Sequence, residues 1–177
     1  GGIFNVGTLT VNHSTISGNT ADAGGGIDNW RSALTVNHST LSGNTANHRG
    51  GGISNAGSGG TLTVNHSIVA ENSAQTGLDI VNSVTVTAEG VNLLSDLADS
   101  GLDDDDNVNV GDPLLAPLAD YGGPTETMPP MPGSPAIDAA TGSTAPSDQR
   151  GVTRSQDGDG NGSSVADIGA VEFLSVS

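Results

Sequence analysis

The chain has no cysteine and no lysine, and its aromatics are two Phe, one Trp and one Tyr in 177 residues. Without cysteine there is no disulfide staple, no thiolate metal site and no thiol nucleophile. With so few aromatic rings the interior has to be built from layers of small aliphatic side chains. No apolar run approaches the roughly 18 residues that cross a bilayer as a helix, so membrane insertion is not expected. Positive charge is scarce too: four arginines stand against 20 acids, for a formal net charge of −16. A polyanion cannot neutralise phosphates, which excludes nucleic acid and anionic lipid surfaces as partners and favours divalent cations. The acids are unevenly spread. Residues 1–76 carry Asp22, Asp28 and Glu71 against Arg31 and Arg49, whereas residues 77–177 carry all the other acids against Arg150 and Arg154.

What the sequence has in place of these is a repeat. Gly1-Gly2-Ile3-Phe4-Asn5 recurs as Gly25-Gly26-Ile27-Asp28-Asn29 and Gly51-Gly52-Ile53-Ser54-Asn55, with a decayed copy at Ile80-Val81-Asn82. Leu9-Thr10-Val11-Asn12-His13-Ser14 recurs at Leu34–Ser39 and Leu62–Ser67, and the next repeat Asn always lies at the same distance, as Asn19, Asn44 and Asn72. Only the gap between the first Asn and the Leu varies in length, which marks one tolerant corner on an otherwise fixed path. Leu9 and Val11 alternate with Thr8, Thr10 and Asn12 at the period of a strand, and Ile3 and Ile16 supply two further strands. Three short strands per turn of about 25 residues describe an all-β, right-handed parallel β-helix of about four coils. A helical alternative fails because Gly, Asn, Thr and Ser crowd every segment.

Stacking coils turns repeated positions into ladders. Ile3, Ile27, Ile53 and Ile80 are expected to form one interior stack, with Leu9, Leu34, Leu62 and Val84 as another. Asn5, Asn29, Asn55 and Asn82 are expected to stack at a corner, where Asn tolerates left-handed backbone. His13, His38 and His66 should form a row on another corner. Such a row could bind a transition metal or repel itself in acid, but stacked turn residues are its ordinary reading. The expected organisation is coils over 1–96, an acidic linker or loop over 97–110, and an irregular acidic segment over 111–177 that packs on or caps the helix. That last segment has isolated apolar anchors, among them Leu115, Ile137 and Ile168, and cannot form a core of its own.

Ser14-Thr15-Ile16-Ser17-Gly18-Asn19-Thr20-Ala21 and its copy at 39–46 resemble the coils of bacterial surface-protein β-helices. Downstream, Gly111-Asp112-Pro113-Leu114-Leu115, Pro117–Thr125, Pro132-Gly133-Ser134-Pro135-Ala136-Ile137-Asp138, Asp148-Gln149-Arg150-Gly151 and Asp167-Ile168-Gly169-Ala170-Val171-Glu172 follow in an order similar to the domain called choice-of-anchor Q. The resemblance covers essentially the whole chain. It implies an extracellular or cell-surface protein, with any sorting signal beyond the last motif.

One motif carries metal chemistry. Asp157-Gly158-Asp159-Gly160-Asn161-Gly162 has the D-x-D-x-N-G spacing that places alternate oxygens around one calcium ion. Ser163 is expected to add a backbone carbonyl and Asp167 a late carboxylate. The twelfth loop position holds Ile168 where an EF-hand has Glu, so the loop is not a full EF-hand. Asp103 to Asp106 read as a solvated acidic loop, because adjacent like charges repel. Arg150 and Arg154 read as structural ion-pair partners, for example Arg150 with Asp138 or Asp167.

Catalysis is not expected. A uronate lyase needs basic groups, and the coils offer only Arg31 and Arg49. A glycoside hydrolase needs paired carboxylates, yet the equivalent coil positions 4, 28 and 54 hold Phe, Asp and Ser. Polysaccharide binding or cleavage is therefore the alternative to a structural or adhesive surface element. Ice binding by the outward pairs Thr8/Thr10, Thr61/Thr63 and Thr85/Thr87 is interrupted by Ala33. The chain opens inside a repeat, which suggests a processed product or an excised piece, with upstream coils or another copy of the chain stacked on its first coil. Self-stacking head to tail would not close and would give a filament. Cell-surface carbohydrate is a further expected partner.

Overall fold

In the computed structural model, which describes residues 1–105 and 107–175, the backbone winds as a parallel β-solenoid with no helix among the described residues. The first coil runs through β1 (Ile3–Asn5), β2 (Thr8–Asn12), β3 (Thr15–Ser17) and β4 (Thr20–Ala23). The second repeats this path with β5 (Ile27–Trp30), β6 (Ala33–Asn37), β7 (Thr40–Ser42) and β8 (Thr45–Arg49). Three strands form the third coil, β9 (Ile53–Ala56), β10 (Thr61–Asn65) and β11 (Ile68–Ala70), and three the fourth, β12 (Ile80–Asn82), β13 (Thr85–Glu89) and β14 (Asn92–Leu94). Equivalent strands pair in parallel into sheets ordered β1-β5-β9-β12 and β2-β6-β10-β13, while β4 and β8 add a short fourth side. The third sheet, β3-β7-β11-β14, gains an extra strand, β15 (Val108–Val110).

Register follows the repeat. Ile3 pairs with Ile27, Ile27 with Ile53 and Ile53 with Ile80, which places one isoleucine in the same interior layer of every coil. In the second stack Leu9, Leu34 and Leu62 are followed by Val86, not by the expected Val84. The tolerant corner explains the shift: after growing through the third coil, the loop shrinks back in the fourth to its first-coil length, so Asn82 and Val86 are spaced like Asn5 and Leu9. Ile27, Leu34, Val36, Leu41, Ile53, Leu62 and Val64 are all at most 1 % exposed. Each such side chain contributes roughly 1.5–3 kcal/mol by leaving water, so stacked aliphatic layers hold the rod together without aromatics.

Two asparagine ladders fasten the corners. Asn5 Nδ2 donates to Asn29 Oδ1, Asn29 Nδ2 to Asn55 Oδ1 and Asn55 Nδ2 to Asn82 Oδ1, each at 2.7 Å. Asn19, Asn44 and Asn72 form the second, whose last amide donates at 3.0 Å to Oδ1 of Asp79. A carboxylate only accepts, so Asp79 terminates this ladder. Its other oxygen accepts from Ser95 N, Ser95 Oγ and Asp96 N, which pins the start of the following segment.

The stretch 97–110, expected as an acidic linker or loop, lies against the core. Leu97 and Leu102 pack against the interior cluster, Ser100 is buried, and Val108 enters the core through β15. Asp103, Asp104 and Asp105 are exposed, while Asp106 of the same run lies outside the described residues.

Residues beyond 111 spread along the outer face of the third sheet rather than over the last coil. The strands beneath explain why. Where the first coil has Thr15-Ile16-Ser17, the third has Ile68-Val69-Ala70 and the fourth Leu93-Leu94, so this face is apolar outside as well as inside. Ile68, Ala70 and Leu93 form a second core with Leu115, Ala136, Ala140, Ala166 and Ile168. The approach is close enough to require glycine at 169. Its φ is +96°, and a Cβ there would lie 2.8 Å from Ile68 Cδ1 and Thr40 Oγ1. Hydrogen bonds from Gly169 N to His66 O and from Ala170 N to Thr40 Oγ1 complete the attachment.

Candidate metal centre

The acidic loop 157–163 is closed by its own side chains. Asp157 Oδ2 accepts from Gly162 N at 3.0 Å, Asp159 Oδ1 from Asn161 N at 2.9 Å, and Asn161 Oδ1 from Ser163 N at 2.8 Å. Asn161 Nδ2 donates to Asp159 Oδ2 at 2.7 Å. The loop rests on Ile137: a Cβ at Gly158 would lie 2.7 Å from Ile137 Cγ2.

A third carboxylate arrives from a distant part of the chain. Asp138 accepts from Gly158 N at 3.2 Å through Oδ1 and from Asp159 N at 2.8 Å through Oδ2. Carboxylate oxygens of Asp138, Asp157 and Asp159 all lie within 4.8 Å of one another. Oδ1 of Asp157 is buried and has no hydrogen-bond partner. Three convergent carboxylates, one with an unused acceptor, form a hard-oxygen donor set that suits a divalent cation. A groove of about 340 Å³ lined by Pro132, Ser134, Ile137, Asp159 and Phe173 opens beside them.

Of the five residues expected as ligands, Asp157 and Asp159 stand in this triad. Asn161 and Ser163 are exposed members of the loop, with Asn161 Oδ1 turned to the Ser163 amide. Asp167 is placed differently. It is only 1 % exposed, and its carboxylate accepts from Asp138 N at 2.7 Å and from Phe173 N. Burial pushes its pKa up to about 7, helped by the carboxylates of Glu172 and Asp138 and opposed by the two backbone donors. Asp167 thus positions Asp138, whose backbone takes a left-handed φ of 53°, instead of reaching the loop. Nothing in local spacing marks Asp138, which lies about twenty residues before the loop. Only the fold brings it there.

Both arginines form the expected structural ion pairs, Arg150 with a different acid from those named. Arg150 binds Asp148, with Nε and Nη2 both on Oδ2 at 3.0 and 2.8 Å, in place of Asp138 or Asp167. Asp148 is nearer in sequence and sits in the turn that Arg150 itself helps close through its backbone N–H. Arg154 is buried and donates to the carbonyls of Asp167 and Gly169 and, at 3.4 Å, to Glu172 Oε2. Comparison with known proteins returned no match among protein-family models, curated proteins or solved structures.

Proposed function

We propose that this chain is a non-catalytic structural or adhesive element of a secreted or cell-surface β-solenoid, of the choice-of-anchor Q type, and that it associates with itself end to end through its first coil. The observation that carries this reading is the in-register stacking of the repeat, which pairs each coil with the next through equivalent parallel strands and keeps the outer side chains in straight ladders. Coils of one kind add to one another by the same pairing, which is what end-to-end association of copies would use. The outward ladders of Thr, Ser and Asn are polar and nearly uncharged, which suits display and keeps the sides from sticking.

The test is the mass of the purified chain by light scattering and its shape by negative-stain microscopy as concentration rises. Two or more copies joined at the first coil are expected, with fibres if stacking is head to tail. Leu9→Lys, which places a charge in the interior layer of the first coil beside Leu34, should give monomers, with β circular dichroism separating lost association from lost fold. A wild-type chain that stays monomeric throughout would remove the reading.

Calcium is the cation this reading assigns to Asp138, Asp157 and Asp159, where it would lock the C-terminal segment. Calcium at about 100 times its dissociation constant should stabilise the fold by about 2.7 kcal/mol, reversed by chelator. Asp157→Asn should abolish the gain. Equal melting temperatures with and without calcium would count against the site. A second reading, carbohydrate binding, is favoured by a groove of about 320 Å³ on the first two coils that brings the exposed ring of Phe4 beside Asp22 and Asp28.

A further inference from the structure

The histidine row lies under the C-terminal segment. His13, His38 and His66 each take a left-handed φ, 45°, 43° and 46°, at the corner between the second and third sheets. Their rings stack with centroids 5.4 and 4.9 Å apart and interplanar angles of 5° and 20°. On one side His66 Nδ1 accepts the N–H of Val91 at 3.2 Å, so that nitrogen holds no proton. Nδ1 of His13 and of His38 is buried with no partner. From the C-terminal segment, Ser143 Oγ lies 3.4 Å from His38 Nε2, and Gly169 N donates to the backbone oxygen of His66. The charged groups that face the stack from this segment are Arg154 and Asp148. Behind Arg154 stand Glu172, Asp167 and Arg150.

We propose that the His13–His38–His66 stack is an acid-sensitive latch, whose protonation detaches the C-terminal segment from the third sheet and uncovers the apolar strip of Ile68, Ala70 and Leu93. Each neutral ring fits its place and each charged ring does not. A proton on Nδ1 of His38 would be a buried donor without an acceptor, and one on Nδ1 of His66 would break the bond from Val91. Charged rings would also face one another at stacking distance, with the guanidinium of Arg154 adding a like charge. The coils can relieve this only by losing the segment that buries the rings, because their own register is fixed by the strands on either side. Burial, followed by Arg154, lowers the pKa of all three; for His38, which has a ring on either side, it falls to about 3. The sign follows from linkage. Free histidines charge near pH 6.5 and the latched ones below it, His38 at about 3, so the latch is intact above that range and weakens as pH falls through it.

Hydrogen exchange on the full chain tests this, with protection factors corrected for intrinsic rates from about pH 7 down to about pH 3.5. Amides of 136–148 and 165–172 should lose protection by about tenfold per pH unit for each histidine that charges, less one such factor below about pH 7 because buried Asp167 takes up a proton in the attached segment, while β5 to β11 stay protected. His38→Asn, a residue that tolerates the left-handed corner, should keep the segment protected to lower pH, and His13→Asn should do the same in part. If both variants release the segment at the wild-type pH, a group outside the histidine stack does the work and the latch is wrong. It is equally wrong if coils and segment lose protection together. Should His38→Asn fail to fold at neutral pH, His13→Asn, which has a ring on one side only, decides by the same criterion.

Discussion

Replacing Arg154 with alanine should unfasten the C-terminal segment from an intact solenoid, at a cost of about 3–5 kcal/mol, the range for breaking a buried ion pair from one side. The guanidinium holds three acceptors together at once: Nη1 reaches Asp167 O at 2.8 Å, Nη2 reaches Gly169 O at 2.6 Å, and Glu172 Oε2 lies 3.4 Å from Nη1. Both side chains of the pair are fully buried. Burial lowers the pKa of Arg154, and the carboxylates of Glu172, Asp148 and Asp167 oppose that fall. Removing the cation strands Glu172, whose Oε1 and Oε2 also accept from Gln156 N and Asp167 N. Lysine should not rescue, because one ammonium cannot replace a planar fork that serves two carbonyls and a carboxylate. Chemical denaturation with exchange measured separately over coils and segment checks this. Loss confined to the segment is expected, and a loss below about 1 kcal/mol would show that the pair is dispensable.

Asp79→Ala should cost a comparable amount but act on the coils themselves. The side chain is fully buried and accepts five hydrogen bonds, two from Asn72 and three from Ser95 and Asp96. Burial raises its pKa, against the hydrogen bonds from Ser95, Asn72 and Asp96. Deleting it leaves the end of the Asn19–Asn44–Asn72 ladder and the three backbone amides of Asn72, Ser95 and Asp96 without this acceptor, each worth about 1–3 kcal/mol when buried and unpaired. Asp79→Asn should be milder, since an amide keeps one acceptor oxygen. Thermal unfolding should show a lowered midpoint for both, with the fourth coil losing exchange protection first. An alanine variant within about 0.5 kcal/mol of wild type would mean that water replaces the carboxylate.

These two sites differ in how visible they are. The ladders that run along the rod were legible because a repeat puts chemically identical groups at a constant spacing, and stacked asparagines then have only each other to bond. Asp79 was not, since it stands where the repeat has decayed and breaks the ladder by being unlike its members. The misplacement of Val84 for Val86 has the same origin: at the one corner of variable length, spacing carries no register. The apolar outer face of β11 and β14 was written in Ile68-Val69-Ala70 and Leu93-Leu94, where the repeat elsewhere alternates. It marks the surface on which the C-terminal segment lies.

Sequence alone determined the solenoid, the isoleucine stack, the asparagine stack that begins at Asn5 and the histidine row, because each is a local period repeated, and repetition in one dimension needs no knowledge of the third. Tertiary structure alone decided what the segment after residue 111 does. Its contacts join residues more than a hundred positions apart, such as Thr40 with Ala170 and His38 with Ser143. It brought Asp138 to Asp157 and Asp159, turned Asp167 inward to hold it, and gave Arg154 to Glu172 in preference to the acids nearer in sequence. An irregular chain has no period, so its partners are chosen by which buried charges and apolar anchors can be satisfied together, and that choice exists only once the coils have formed the surface to be covered.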